Sequence, residues 1–150
     1  MSLKERLTED MKQAMREREA GKFRLSVIRM VLASIKNVEI NERRELSQED
    51  LLAIMSKEVK MRRDSLEEFK KADREDLAAQ AQAEIDILVD YMPAQLSESE
   101  IREIVRVAVE TTGASSAKDM GKVMGAASKE LAGKAEGRAI SDTVKRLLNV

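Results

Sequence analysis

Leu3, Leu7, Met11, Ala14 and Met15 recur at helical spacing behind Ser2-x-x-Glu5, a capping-box pattern, and predict a first helix. Gly21 interrupts it. From 22 to about 38 the apolar positions (among them Phe23, Val27, Ile28, Met30, Val31, Leu32, Ile35 and Val38) cover more than one stripe. That spread predicts a central helix packed on several sides. Positions 37–44 are polar and read as a turn. Ser47-x-x-Asp50 then opens a third helix, with Leu51, Met55, Val59, Arg62, Leu66 and Phe69 down one face. Asp73-x-x-Asp76 marks a new start or a kink near 71–74. Beyond it Leu77, Ala81, Ile85, Leu88 and Tyr91 form a fourth face.

Pro93 is the sole proline. It lacks a backbone donor and disfavours helix in the residue before it, so the fourth helix should stop near 91–92. Ser97-x-x-Glu100 is another capping box, leading Ile101, Ile104, Val105, Ala108 and Val109. A turn at 112–115 contains Gly113, which is free to take positive φ. Ser116 is placed to cap a helix through Val123 and Ala127 to Leu131. A loop at 133–137 precedes a final helix at 140–148. No stretch alternates as a strand does. Seven helices with short connections predict an all-α protein.

The charge distribution divides the chain. Residues 1–92 carry 18 basic and 20 acidic side chains, and residues 93–150 carry 9 and 8. From Gly113 onward 7 cations face 4 carboxylates, and 5 of the 6 glycines fall there. We expect two small helical units, an N-terminal helical bundle at 1–92 and a basic, glycine-punctuated three-helix unit at 93–150.

Absent residue types narrow the chemistry. With no His and no Cys, there is no thiolate nucleophile, no imidazole base, no Ser-His-Asp triad and no ordinary zinc site. No catalytic residue, metal site or cofactor is assigned. Without disulfides the fold rests on its apolar core. The first 20 residues read as a charged amphipathic segment rather than a signal peptide, and no apolar run approaches a membrane span. These features lead to the expectation of a cytoplasmic protein with no membrane partner.

Three features are candidates for function. In Asp119-Met-Gly-Lys-Val-Met-Gly-Ala126, Gly121 and Gly125 share a helix face. Glycine inside a helix costs about 0.5–1 kcal/mol relative to alanine, so the pair signals something packed close to the backbone. That is either a neighbouring helix or a phosphate–sugar backbone aided by Lys118 and Lys122. In Gly133-Lys-Ala-Glu-Gly-Arg138, Gly133 and Gly137 accompany Lys134 and Arg138 just before a helix. The run is either an anion-holding start or an ordinary C-cap and turn, and it matches no nucleotide-binding loop. The third feature, the charge-dense stretch 57–64, reads as a solvated face. Arg62 is the exception, because it lies in the apolar stripe and must snorkel or meet a carboxylate from another helix.

The segment Arg24-Leu-Ser-Val-Ile-Arg-Met-Val-Leu-Ala-Ser-Ile-Lys-Asn-Val-Glu-Ile40 resembles the N-terminal signature of YqeY-like proteins. So do Lys60-Met-Arg-Arg-Asp-Ser65 and Tyr91-Met-Pro-Ala-Gln-Leu96. Lys118-Asp-Met-Gly-Lys-Val-Met124 and Gly133-Lys-Ala-Glu-Gly-Arg138 resemble the GatB/YqeY domain. There Lys134 and Glu136 stand in a segment often written Gly-Arg-Ala-Asp-Gly, with charge kept at both positions. That domain is also the tail of the B subunit of a glutamine-dependent tRNA amidotransferase, where it contacts the tRNA body. The resemblance, which spans essentially the whole chain, implies an all-α fold in two parts. It also implies a link to carbon–nitrogen ligase chemistry with glutamine as amido donor, although the chain is too short to hold the catalytic cradle.

The leading expectation is a tRNA-associated accessory protein, with tRNA or a tRNA-processing protein as partner. Lys118, Lys122, Lys129, Lys134 and Arg138 would neutralise phosphates, and Gly121, Gly125, Gly133 and Gly137 would permit close backbone approach. The alternative is a non-catalytic protein-interaction module that docks a partner through an apolar helix face of the N-terminal unit. An enzyme of another kind is the third class, for which the usual acid–base and nucleophilic side chains are missing.

Overall fold

A computed structural model describes residues 1–150 and contains seven α-helices and no strand. They are α1 (Leu3–Arg16), α2 (Lys22–Glu42), α3 (Gln48–Lys71), α4 (Glu75–Val89), α5 (Glu98–Thr112), α6 (Met120–Glu130) and α7 (Gly137–Leu148). Short 3-10 turns, Arg18–Gly21 and Ala117–Asp119, lead into α2 and α6. No helix is long and apolar enough to cross a membrane.

Helix starts follow the local chemistry. The Ser2 hydroxyl accepts from the Glu5 amide at 3.2 Å while Glu5 accepts from the Ser2 amide at 2.7 Å. The same reciprocal box starts α3 at Ser47/Asp50 and α5 at Ser97/Glu100. Each satisfies two backbone donors that a helix start leaves orphaned. At the other end of α5, Gly113 takes φ +67°, and the Ala114 amide returns to the Val109 carbonyl at 3.1 Å. The left-handed residue lets the chain reverse while capping free carbonyls.

The chain divides into two compact units, Met1–Met92 and Pro93–Val150. In the first, α1 through α4 enclose a core that includes Leu7, Val27, Ile28, Val31, Ile35, Met55, Ile85 and Leu88. Each fully buried aliphatic side chain contributes about 1.5–3 kcal/mol. In the second, α5, α6 and α7 close around Val105, Val123, Ala127, Leu131, Ile140 and Val144. Its loops are tied by Leu96 N donating to Lys134 O at 3.0 Å, and by Gln95 Nε2 donating to Gly133 O at 2.7 Å.

One expectation needs correction. Positions 37–42 are not a turn: α2 continues to Glu42 and ends at Arg43, which takes the left-handed conformation (φ 53°). The polar residues there lie largely on the solvent side, and Glu39 is held by Lys4 at 2.7 Å. As its spread of apolar positions predicts, α2 is central and packed on several sides, with one side left open. It packs against α1, α3 and α4 through Val27, Ile28, Val31 and Ile35, yet Phe23, Met30 and Ile40 remain 41, 50 and 61% exposed.

Candidate nucleic-acid interface

The segment 115–130 begins with a cap. Asp119 accepts from the Ser115 amide at 3.0 Å and the Ser116 amide at 3.3 Å. The Ser115 amide first, then the Ser116 amide and the charge of Lys122, hold the Asp119 carboxyl below its ordinary range. Asp119 is thereby committed to starting the helix.

From that start, α6 turns Val123 and Ala127 into the core. At 3.6 residues per turn, Gly121, Lys122, Gly125 and Lys129 then fall within roughly 100° of arc on the opposite side. All four are exposed, and so is Lys118, one turn earlier. A Cβ added at Gly121 or Gly125 would meet nothing within 4 Å. No neighbouring helix packs there, so of the two readings of this glycine pair the close helix contact does not hold. The outer side of α6 is a bare backbone track flanked by lysines. Lys122 and Lys129 are seven residues apart, about 10 Å along the axis.

The other predicted cations are placed differently. Lys134 is exposed in the 131–136 loop, and Arg138 is exposed in the first turn of α7. None of Lys118, Lys122, Lys129, Lys134 and Arg138 is held in an ion pair. Gly137 is exposed, with open space at its Cβ position. Gly133 is not an approach point. It is buried at φ +73°, and its carbonyl is taken by Gln95. Its glycine character serves the turn after α6, because only glycine adopts that conformation without strain.

The closely packed glycine of this chain is Gly21, where α1 and α2 meet. A Cβ there would lie 2.2 Å from the Ala14 carbonyl oxygen. The sequence signal was present, a lone glycine between two apolar periodicities, but nothing local distinguishes a packed glycine from a mere helix break.

Arg62 resolves as a buried ion cluster. Its Nη1 donates to Glu58 Oε2 at 2.7 Å and to Glu58 O at 3.0 Å, and its Nε donates to Glu84 Oε2 at 3.2 Å. Ser34 on α2 donates to the other Glu58 oxygen at 2.9 Å. An open pocket of about 230 Å³ adjoins the cluster, lined by Arg62, Phe69, Leu77, Gln80 and Glu84 among others. Three of the guanidinium donor contacts go to carboxylate or backbone oxygens of the unit itself, so the cluster ties α2, α3 and α4 together.

With this geometry established, known proteins offer a comparison. The family described as Yqey-like protein matches residues 4–148. Altered inheritance of mitochondria protein 41, mitochondrial, from Pyrenophora tritici-repentis is 37% identical over 108 residues, covering 70% of this chain and 58% of that protein. The proteins of the same name from Kluyveromyces lactis and Saccharomyces cerevisiae (strain YJM789) are 38% and 37% identical over 89 and 84 residues. Those matches cover 59% and 55% of this chain and 47% and 44% of the relatives. The chain thus spans about half the length of the curated relatives it matches. Their names overturn the expectation of a cytoplasmic protein, since each is designated mitochondrial. The physical reason is simple: a chain without cysteine or a long apolar helix suits more than one compartment.

Proposed function

The chain belongs to the YqeY-like family, and from that premise we propose that it is a non-catalytic accessory protein that docks the phosphate backbone of a structured RNA, with tRNA the class favoured, on the outer side of α6. One observation carries the reading: Gly121 and Gly125 are open, and exposed Lys118, Lys122 and Lys129 stand on the same side without ion-pair partners. A backbone free of side chains lets a phosphodiester strand come close, and lysines beside it supply point charges. The excess of cations over carboxylates beyond Gly113 supports the same reading. Recognition of this kind is by shape and charge rather than base sequence, and it weakens steeply with salt. Any link to amidation runs through the bound RNA, because no side chain of this chain is assigned to activate a carboxylate.

The test is titration of bulk tRNA by fluorescence anisotropy at about 50 and 200 mM salt. The expected result is measurable binding whose log–log salt slope falls by about 0.9 for each phosphate contact removed. The variant carrying Lys118→Glu, Lys122→Glu and Lys129→Glu should lose most of the affinity. Equal affinity and equal slope for wild type and variant would overturn the reading.

A further inference from the structure

The exposed side of α2 has a regular order that packing within its own unit does not use. Phe23, Met30 and Asn37 are spaced by seven residues, and so are Ser26, Ala33 and Ile40. All six are exposed. In heptad terms they are the a and d positions of a seam about 25 Å long that has no partner helix, although Arg62 Nη2 reaches Met30 Sδ at 4.0 Å. Along one flank, in the g positions, stand Lys22, Arg29 and Lys36, again seven apart and all exposed.

These three cations have no counter-charge of their own. The only carboxylates of α2 are Glu39 and Glu42 near its end, and Lys4 and Arg44 hold them at 2.7 and 2.6 Å. Arg24, the remaining cation of the helix, is paired with Glu17 at 3.1 Å. Lys22, Arg29 and Lys36 are in no ion pair. We propose that this face docks an amphipathic helix of another protein, one with an apolar stripe at heptad spacing and carboxylates on the flank that meets Lys22, Arg29 and Lys36.

The charge pattern argues against a second copy as occupant. In an antiparallel pair, g positions face g positions, which sets the cations against their equals. In a parallel pair they would face the e side, where Val27 is buried in the core, Ser34 is bonded to Glu58 and Asn41 is neutral, so no carboxylate meets them. The apolar seam argues against RNA, because half-exposed Phe23, Met30 and Ile40 in a stripe are what a helix-in-groove contact desolvates. This surface belongs to the N-terminal unit, so the inference stands or falls independently of RNA docking on α6.

The experiment uses the full chain and synthetic three-heptad peptides with Leu at a and d and either Glu or Lys at e and g, read by fluorescence anisotropy. The Glu-flanked peptide should bind and the Lys-flanked one should not. Phe23→Ser with Ala33→Glu should abolish binding while leaving the helical circular dichroism unchanged. Lys22→Glu, Arg29→Glu and Lys36→Glu together should reverse the preference between the two peptides, by about tenfold or more. Lys118→Glu with Lys122→Glu should leave peptide binding unchanged. Equal binding of both peptides, binding of neither, or displacement of the peptide by tRNA would overturn the proposal. So would a concentration-dependent dimer that Ala33→Glu abolishes, since the face would then be met by its own copy.

Discussion

Arg62 on α3 and Glu84 on α4 meet at 3.2 Å, with side chains only 8% and 19% exposed. Glu58, one turn before Arg62, completes the cluster at 2.7 Å. Removing one member of a buried pair leaves a charge without compensation, at a cost of about 3–5 kcal/mol. Arg62→Ala should therefore lower the unfolding free energy read from urea titration by an amount of that order. Arg62→Met combined with Glu58→Gln and Glu84→Gln should recover most of it, because no uncompensated charge is then left. An Arg62→Ala protein as stable as wild type would show that the cluster contributes little.

Tyr91, just past the end of α4, closes the N-terminal unit. Its hydroxyl donates to Asp10 Oδ2 at 2.5 Å, and the Arg6 guanidinium lies 4.6 Å from its ring centroid. Tyr91→Phe should cost about 1.5–3 kcal/mol, the usual worth of a hydrogen bond to a charged partner. Burial first, then the hydrogen bond to Asp10 and its charge, push the phenol above its ordinary range, against a smaller opposing pull from Arg6 and Arg24. A raised native value means that this stabilisation is complete below the unfolded tyrosine pKa of about 10. It is lost as pH climbs through the native value. Tyr91 is the sole tyrosine and there is no tryptophan, so tyrosinate absorbance reads this group directly. Titration at the value of a free tyrosine would refute the assignment.

Gly21 and Gly121 should respond to alanine in opposite senses. At Gly21 the new Cβ would sit 2.2 Å from a backbone oxygen, which cannot yield without separating α1 from α2. We expect a loss of about 3 kcal/mol, in the upper range of overpacking effects. At Gly121 the space is open and the residue lies inside α6, so alanine should stabilise by about 0.5–1 kcal/mol. Thermal melts of the two variants would separate the outcomes. Stabilised Gly121→Ala protein with weakened tRNA binding would mark that glycine as kept for contact rather than for folding.

The start of α3 carries a pH signature. The hydrogen bond from Arg44, then those from the Ser47 amide and hydroxyl, hold the Asp50 carboxyl well below the ordinary range. A depressed native value stabilises above the unfolded aspartate pKa of about 3.9 and is lost as pH falls further. The gap between urea midpoints at neutral pH and at pH ~3 should therefore be smaller for Asp50→Asn than for wild type. Ser47→Ala should cost about 1 kcal/mol at neutral pH through loss of the cap. Identical acid sensitivity in wild type and Asp50→Asn would remove Asp50 from the account.

Some of the candidate interface was legible in the chain. Lys118, Lys122 and Lys129 share a side of any helix that spans them, because their spacing is close to whole turns. That Gly121 and Gly125 lie open was not legible, since the same spacing serves a helix–helix contact equally well. The α2 face shows the converse difficulty. Apolar residues on more than one stripe predict packing on several sides, but not which side stays open: only as many sides are buried as there are neighbours to cover them, and α1, α3 and α4 leave the side of Phe23 and Met30 uncovered.

By itself the sequence determined the helical content, most helix starts and the stripe that each helix turns inward. Those features arise from interactions three or four residues apart, which local spacing encodes. Tertiary structure alone decided that Arg62 is answered by Glu84, that Tyr91 reaches Asp10 across 81 positions, and that Gly21 rather than Gly121 is the crowded glycine. Each depends on where one helix lies against another, and that is set by the packing of the whole unit rather than by the residues beside it.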